Sequence, residues 1–223
     1  MNHIITVDTE ACPIHQGGTV DPHNMLAYNI GWAITTADGT NILVERSFLV
    51  EEVFCWEADK MKSAYYKNKL PYYWELIRQG KIEILPLAEI REIFNKDIED
   101  FKVKAVCAYN AYFDYTVLNN TVRYFYGKGV YFTVNKIEWW DSLKMVGDTI
   151  YRMKSYKAFC LENGYLTKKG NARKTVEIVY RFLTKDIGFI EDHTALEDVK
   201  IEIAIFTSCV KKHKKMRKKL FNN

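Results

Sequence analysis

The stretch HIITVDTE, residues 3–10, decides how the chain is read. Its first half is a short run of Ile, Thr and Val, the β-branched composition of a buried strand. Its second half carries two carboxylates, Asp8 and Glu10. On a strand, residues i and i+2 point to one face, about 6–7 Å apart along the chain. Carboxylates aimed together repel and cost stability unless a cation lies between them. The spacing therefore suggests a divalent metal at a strand end. The plain alternative is two solvated charges at a strand exit. D-x-E is a common triplet, and Asp97-Ile-Glu99 repeats it. That copy sits in a helical pattern, where i and i+2 diverge.

Outward from this strand, MLAYNIGWAITT (25–36) and NILVERSFLV (41–50) read as two more, joined by ADGT. The Asp-Gly pair marks a hairpin. KAVCAY (104–109) and FTVNKIEWW (132–140) bring the count to five strands. Helical spacing runs over 57–80, where Pro71 is expected to break it in two and Gly80 to stop it. Further helices are expected at 87–101, Tyr112 to Tyr126, 142–151, 155–164, 175–184 and from about Ala195 onward. Strands early and helices late predict one mixed α/β domain over residues 1–210.

A chain of 223 residues with 48% hydrophobic and 27% charged content can bury one sizeable core. Cys12, Cys55, Cys107, Cys160 and Cys209 are scattered without a C-x-x-C spacing, which signals neither zinc nor a disulfide framework. No stretch approaches the roughly 18 apolar residues of a membrane span. The start of the chain lacks the pattern of a secretory signal. The expected setting is a reduced cytoplasm. The net charge of +4 is uneven: the tail KKHKKMRKK (211–219) holds seven Lys/Arg, and residues 1–210 stand at −3. In the basic tail 211–223 such a run either attracts phosphate backbones or is a solvated helix end. Segment 56–81 mixes Trp56, Tyr65, Tyr66, Tyr72, Tyr73 and Trp74 with Lys and Arg. Bases stack on such rings, but aromatics at helical spacing more often face a core.

Two further stretches carry acids in suggestive places. NAYFD (110–114) follows an expected strand and opens a helix, so Asp114 falls in a first turn that favours an anion. HTALED (193–198) fits a capping box, with Thr194 as N-cap and Glu197 at N3. That would leave His193 on an extended residue outside the helix and Asp198 about one turn inside. Each also has an ordinary reading as a good helix start.

Taken in order, DTE, NAYFD and HTALED resemble the three motifs of the DEDD-type 3′–5′ exonucleases. The likeness is to the DnaQ-like branch, which includes polymerase proofreading subunits and ribonuclease T. It runs from Val7 to about Ile205, and WWDSLKM and KSYKAFCLENG support it. The resemblance implies a ribonuclease H-like fold, a five-stranded mixed sheet flanked by helices. It implies Asp8, Glu10, Asp114 and Asp198 as ligands of two divalent ions, Mg²⁺ or Mn²⁺, with Asp8 bridging both. Glu10 and Asp198 would hold the nucleophile-side ion, and Asp114 would act directly or through water. His193 would be the general base. A sister branch places a tyrosine where this chain has Thr194, so the likeness is to the histidine (DEDDh) branch. Thr9, Ala11, Asn110 and Phe113 would contact the substrate. The implied reaction frees nucleoside 5′-monophosphates from single-stranded 3′ ends, DNA slightly favoured, in proofreading or repair beside a DNA polymerase. An exoribonuclease of the ribonuclease T kind is the alternative, and a non-catalytic nucleic-acid-binding module a further one. The first motif continues as ACPIHQGGTVDPHN instead of the usual Thr-Gly, which leaves substrate preference open.

Overall fold

In a computed structural model, which describes residues 3–15, 20–64, 67–134, 136–212 and 215–221, the opening stretch lies at the centre of the sheet. Strand β1 (His3–Pro13) pairs antiparallel with β2 (Met25–Thr36) and parallel with β5 (Val103–Ala108). With β3 (Ile42–Val50), β4 (Glu83–Leu85) and β6 (Glu138–Asp141) the order is β4-β3-β2-β1-β5-β6. The sheet is mixed, as expected, but has six strands instead of five. β4 is three residues long, too short to display a period. The strand expected over 132–140 shortens to β6. Upstream of it, the amides of Phe132 and Val134 donate to Asn119 Oδ1 and Asn95 Oδ1 instead of a ladder.

Eight helices are described: α1 (Ala58–Met61), α2 (Leu70–Arg78), α3 (Leu87–Asp100), α4 (Tyr112–Tyr126), α5 (Ser142–Asp148), α6 (Lys154–Glu162), α7 (Val176–Thr184) and α8 (Ala195–Val210). Pro71 opens α2 where a break was expected, because the first helical turn needs no N–H partner. Alternation along the strands separates two cores. Ile5, Trp32 and Val106 join Phe94 and Phe132 on one side, whereas Ile4, Ala105 and Cys107 join Tyr156, Phe182 and Phe206 on the other.

The aromatic segment divides. Tyr73 is core, but Trp56 is 67% and Trp74 50% exposed, and Tyr72 is also exposed. Tyr65 and Tyr66 lie outside the described residues. The second D-x-E is structural: buried Asp97 accepts from Trp32 Nε1 at 2.9 Å and Arg46 Nε at 3.4 Å. All five cysteines are free. Among the described residues no helix is long and apolar enough to cross a membrane.

The basic tail does more than end α8, where Lys211 and Lys212 are exposed. Residues 215–221 return along the edge strand β6. Asp141 N donates to Lys218 O and Leu220 N to Trp139 O, both at 2.7 Å. Arg217 grips Asp148 with Nε at 2.9 Å and Nη2 at 3.0 Å. Lys218 lies 4.0 Å over the Trp140 ring and Lys219 pairs with Glu138 at 2.6 Å. The tail is a strap that covers an otherwise open strand edge.

Candidate active site

Asp8 pairs across the ladder with Gly31. A Cβ on Gly31 would lie 2.4 Å from Leu196 N and 2.6 Å from Ala195 C. The missing side chain lets the first turn of α8 rest on the sheet, which carries Asp198 to the strand acids. The helix start is anchored from β2. Asn29 Oδ1 accepts from Ala195 N at 3.0 Å and from the Tyr73 hydroxyl at 3.1 Å, and Asn29 Nδ2 donates to Phe48 O at 2.9 Å. Lys69 Nζ, just before α2, donates to Asp192 O at 2.6 Å.

The expected capping box is not made. Thr194 is the N-cap by position, yet its side chain makes no cap bond, and Glu197 turns to Lys200 at 2.8 Å. Asn29 instead supplies a partner for the first amide of the helix, Ala195 N, so the helix start is held by a tertiary contact. Nor is His193 extended. Its φ is +50°, in the left-handed region, at a cost of roughly 1–2 kcal/mol for a non-glycine residue. The bonds from Asn29 and Lys69 on either side hold the chain there.

The sequence candidates mostly converge. A cleft of about 510 Å³ is lined by Asp8, Thr9, Glu10, Ala11, Phe113, His193 and Asp198, among others. Glu10, His193 and Asp198 bring one ligand atom each to within 4.8 Å of one another. His193 Nδ1 lies 3.9 Å from Asp198 Oδ2 and 3.8 Å from Glu191 Oε2. Asp114 stands behind the wall, where its Oδ1 accepts from Thr9 N at 3.1 Å and Thr9 Oγ1 at 2.9 Å. Asn110 is exposed and outside the cleft lining, at the φ +61° corner that precedes α4.

Burial, then mutual repulsion, sets the electrostatics. Burial first, then neighbouring Asp114, pushes Asp8 well above the usual carboxylate range. Glu10 rises through burial and then Asp8 and Asp198. Asp198 is pushed up to about 9 by burial and Asp8. Burial lifts Asp114 to about 7 against the opposing bonds from Thr9. Burial, reinforced by Lys69, lowers His193, which keeps a neutral imidazole available near pH 7. Asp198 Oδ1 is buried without a hydrogen-bond partner. Crowded carboxylates with an orphaned oxygen fit a hard divalent cation.

Two acids of the cleft escaped the sequence reading. Glu202, one turn beyond Asp198 on α8, is buried, and its Oε2 accepts from Tyr109 N at 3.0 Å. The i, i+4 spacing of Asp198 and Glu202 was a usable signal. Glu191 is pushed up to about 7 by burial and then Glu177, and its Oε1 is buried without a partner. It lies on the loop between α7 and α8, where no periodicity points to it.

No protein-family model and no curated protein matches the chain. Solved structures do. A 3′-exonuclease that recognises the 3′ end of the histone mRNA stem-loop aligns at TM-score 0.59 and 10% identity, over 97% of this chain and 66% of that one. The nuclease domain of 3′hExo, a DEDDh family member bound to rAMP, aligns at TM-score 0.59 and 12% identity over 98% of both chains. Exonuclease I of E. coli, in complex with an oligonucleotide, gives 0.55 and 15% over 96% of this chain and 41% of that one. At such identities the likeness speaks for the fold alone: this chain shares the ribonuclease H-like fold of these 3′-exonucleases.

Proposed function

We propose that the protein is a divalent-metal-dependent 3′–5′ exonuclease that removes nucleoside 5′-monophosphates from single-stranded nucleic acid. The observation that carries this reading is the convergence of Asp8, Glu10, His193 and Asp198 on one cleft, from β1 and the start of α8. Asp8, Glu10 and Asp198 would hold two ions, Mg²⁺ or Mn²⁺, with Asp114 behind them. Bound there, the ions supply Lewis acidity to the attacking and leaving oxygens. His193, kept neutral by burial, takes the proton of the attacking water. Thr9 holds Asp114 through its amide and hydroxyl, which fixes that carboxylate. Thr9, Ala11 and Phe113 form the walls against which a terminal nucleotide would rest. The cleft discriminates neither sugar by any contact described, so DNA and RNA both suit its chemistry.

The test is a 5′-labelled single strand of DNA and a matched one of RNA, each with Mg²⁺, Mn²⁺ or chelator. Stepwise shortening from the 3′ end in metal and none in chelator is expected. Tight binding without any shortening in either metal would overturn the reading in favour of a binding module.

A further inference from the structure

Two divalent ions would offset the carboxylates of the cleft but act only at the phosphate being cleaved, so affinity for the rest of a strand falls to cations outside it. We propose that the basic surface of α6 and the following segment 163–175 is the track along which a single strand's phosphates enter the cleft. The proposal rests on the exonuclease reading above. Residues 149–175 hold seven Lys/Arg and one Asp/Glu. Lys154, Lys157, Lys168, Lys169, Arg173 and Lys174 are all exposed. Of the seven cations, Arg152 alone forms an ion pair among the described residues, with Asp148.

The cluster is a built surface. The Tyr156 hydroxyl donates to Arg173 O at 2.6 Å, and Arg173 N donates to Tyr165 O at 3.0 Å. Lys157 Nζ and Lys174 Nζ lie 5.9 and 5.1 Å from the centroid of one ring, Tyr151. Thr167 N donates to Asn171 O at 2.7 Å, which sets Lys168 and Lys169 on the turn between them. The surface is continuous with the cleft. Tyr109 and Val176 both line it, the Tyr109 hydroxyl donates to Lys174 O, and Lys174 is two residues from Val176. In the other dense basic run, Arg217, Lys218 and Lys219 are committed to Asp148, Trp140 and Glu138.

The test compares the full chain with a Lys157→Gln/Lys174→Gln variant in Mg²⁺. One substrate is a strand of about 12 nucleotides, long enough to leave the cleft. The other is the p-nitrophenyl ester of thymidine 5′-monophosphate, too short to reach the track. The variant is expected to raise KM for the strand about tenfold and to flatten the salt dependence by about 0.7 log units per lysine. Hydrolysis of the ester should be unchanged. If the wild type degrades both substrates and the variant keeps its KM and salt slope, the track is wrong while the exonuclease reading stands. If Lys218→Gln on the tail has the larger effect on the strand, the track is wrong as well. If the wild type degrades neither substrate, the exonuclease reading itself fails.

Discussion

His193 holds a conformation that only its surroundings explain. Its φ of +50° is disfavoured locally and maintained by the bonds around Asp192 and Ala195. As the proton acceptor it should matter more for turnover than for metal binding. His193→Gln is expected to lower kcat by about 10²–10⁴-fold, while the shift in melting temperature caused by Mn²⁺ persists. Steady-state kinetics and thermal melts on one preparation check both halves. Asp198 should behave in the opposite way. Its Oδ1 is buried and unpartnered, and its carboxyl is pushed up to about 9. Asp198→Asn is expected to abolish hydrolysis yet raise the melting temperature of the metal-free protein near pH 7, because the unfolded wild-type chain gains by ionising this carboxyl while the fold holds it protonated. A metal-free variant that melts lower than the wild type would contradict this account of the site.

At the scale of elements, the site exists because α8 meets β2 closely. Gly31→Ala would place a Cβ against the backbone of Ala195 and Leu196. The helix start must then shift, at a cost of roughly 1–3 kcal/mol, and Asp198 moves with it. Reduced stability in urea and reduced kcat are expected together. Asn29→Ala strips the acceptor from Ala195 N and the Tyr73 hydroxyl. The Tyr73 hydroxyl keeps His193 O at 3.4 Å, but leaving the Ala195 amide buried and unpaired costs about 1–3 kcal/mol, readable as a lower urea midpoint. The early strands were legible because β1 and β2 are long and rich in β-branched residues. β4 was not, and neither was the true end of the chain. KKHKKMRKK reads as a charged run, and only β6, with its unpaired edge and with Glu138 and Asp148 nearby, turns it into a strap.

For the whole molecule, the site's carboxylates link stability to pH. Asp114, Asp198 and Glu191 bind protons more tightly folded than unfolded, at about 7, 9 and 7. Their contribution is therefore fully present below the ordinary carboxylate values near 4 and is lost as pH rises toward 7–9. Metal-free protein is expected to melt at a higher temperature at pH 5 than at pH 8. Mn²⁺ should raise the pH 8 value most, by mass action on the ionised carboxylates. Melts across that range with and without the metal decide it, and a metal-free curve that rises with pH would refute the linkage.

The sequence by itself determined the period-two strand that aims Asp8 and Glu10 together, the helix that opens before Asp114, and the helix that carries Asp198. Those are local regularities, written in spacing and composition. Only the tertiary structure decided what holds the site in place. Asn29 from β2 is the partner of the Ala195 amide, Gly31 sets the depth of α8, and Glu191 joins the cleft from a loop. The physical reason is that each of these depends on groups brought together from distant parts of the chain, a proximity that no local pattern encodes.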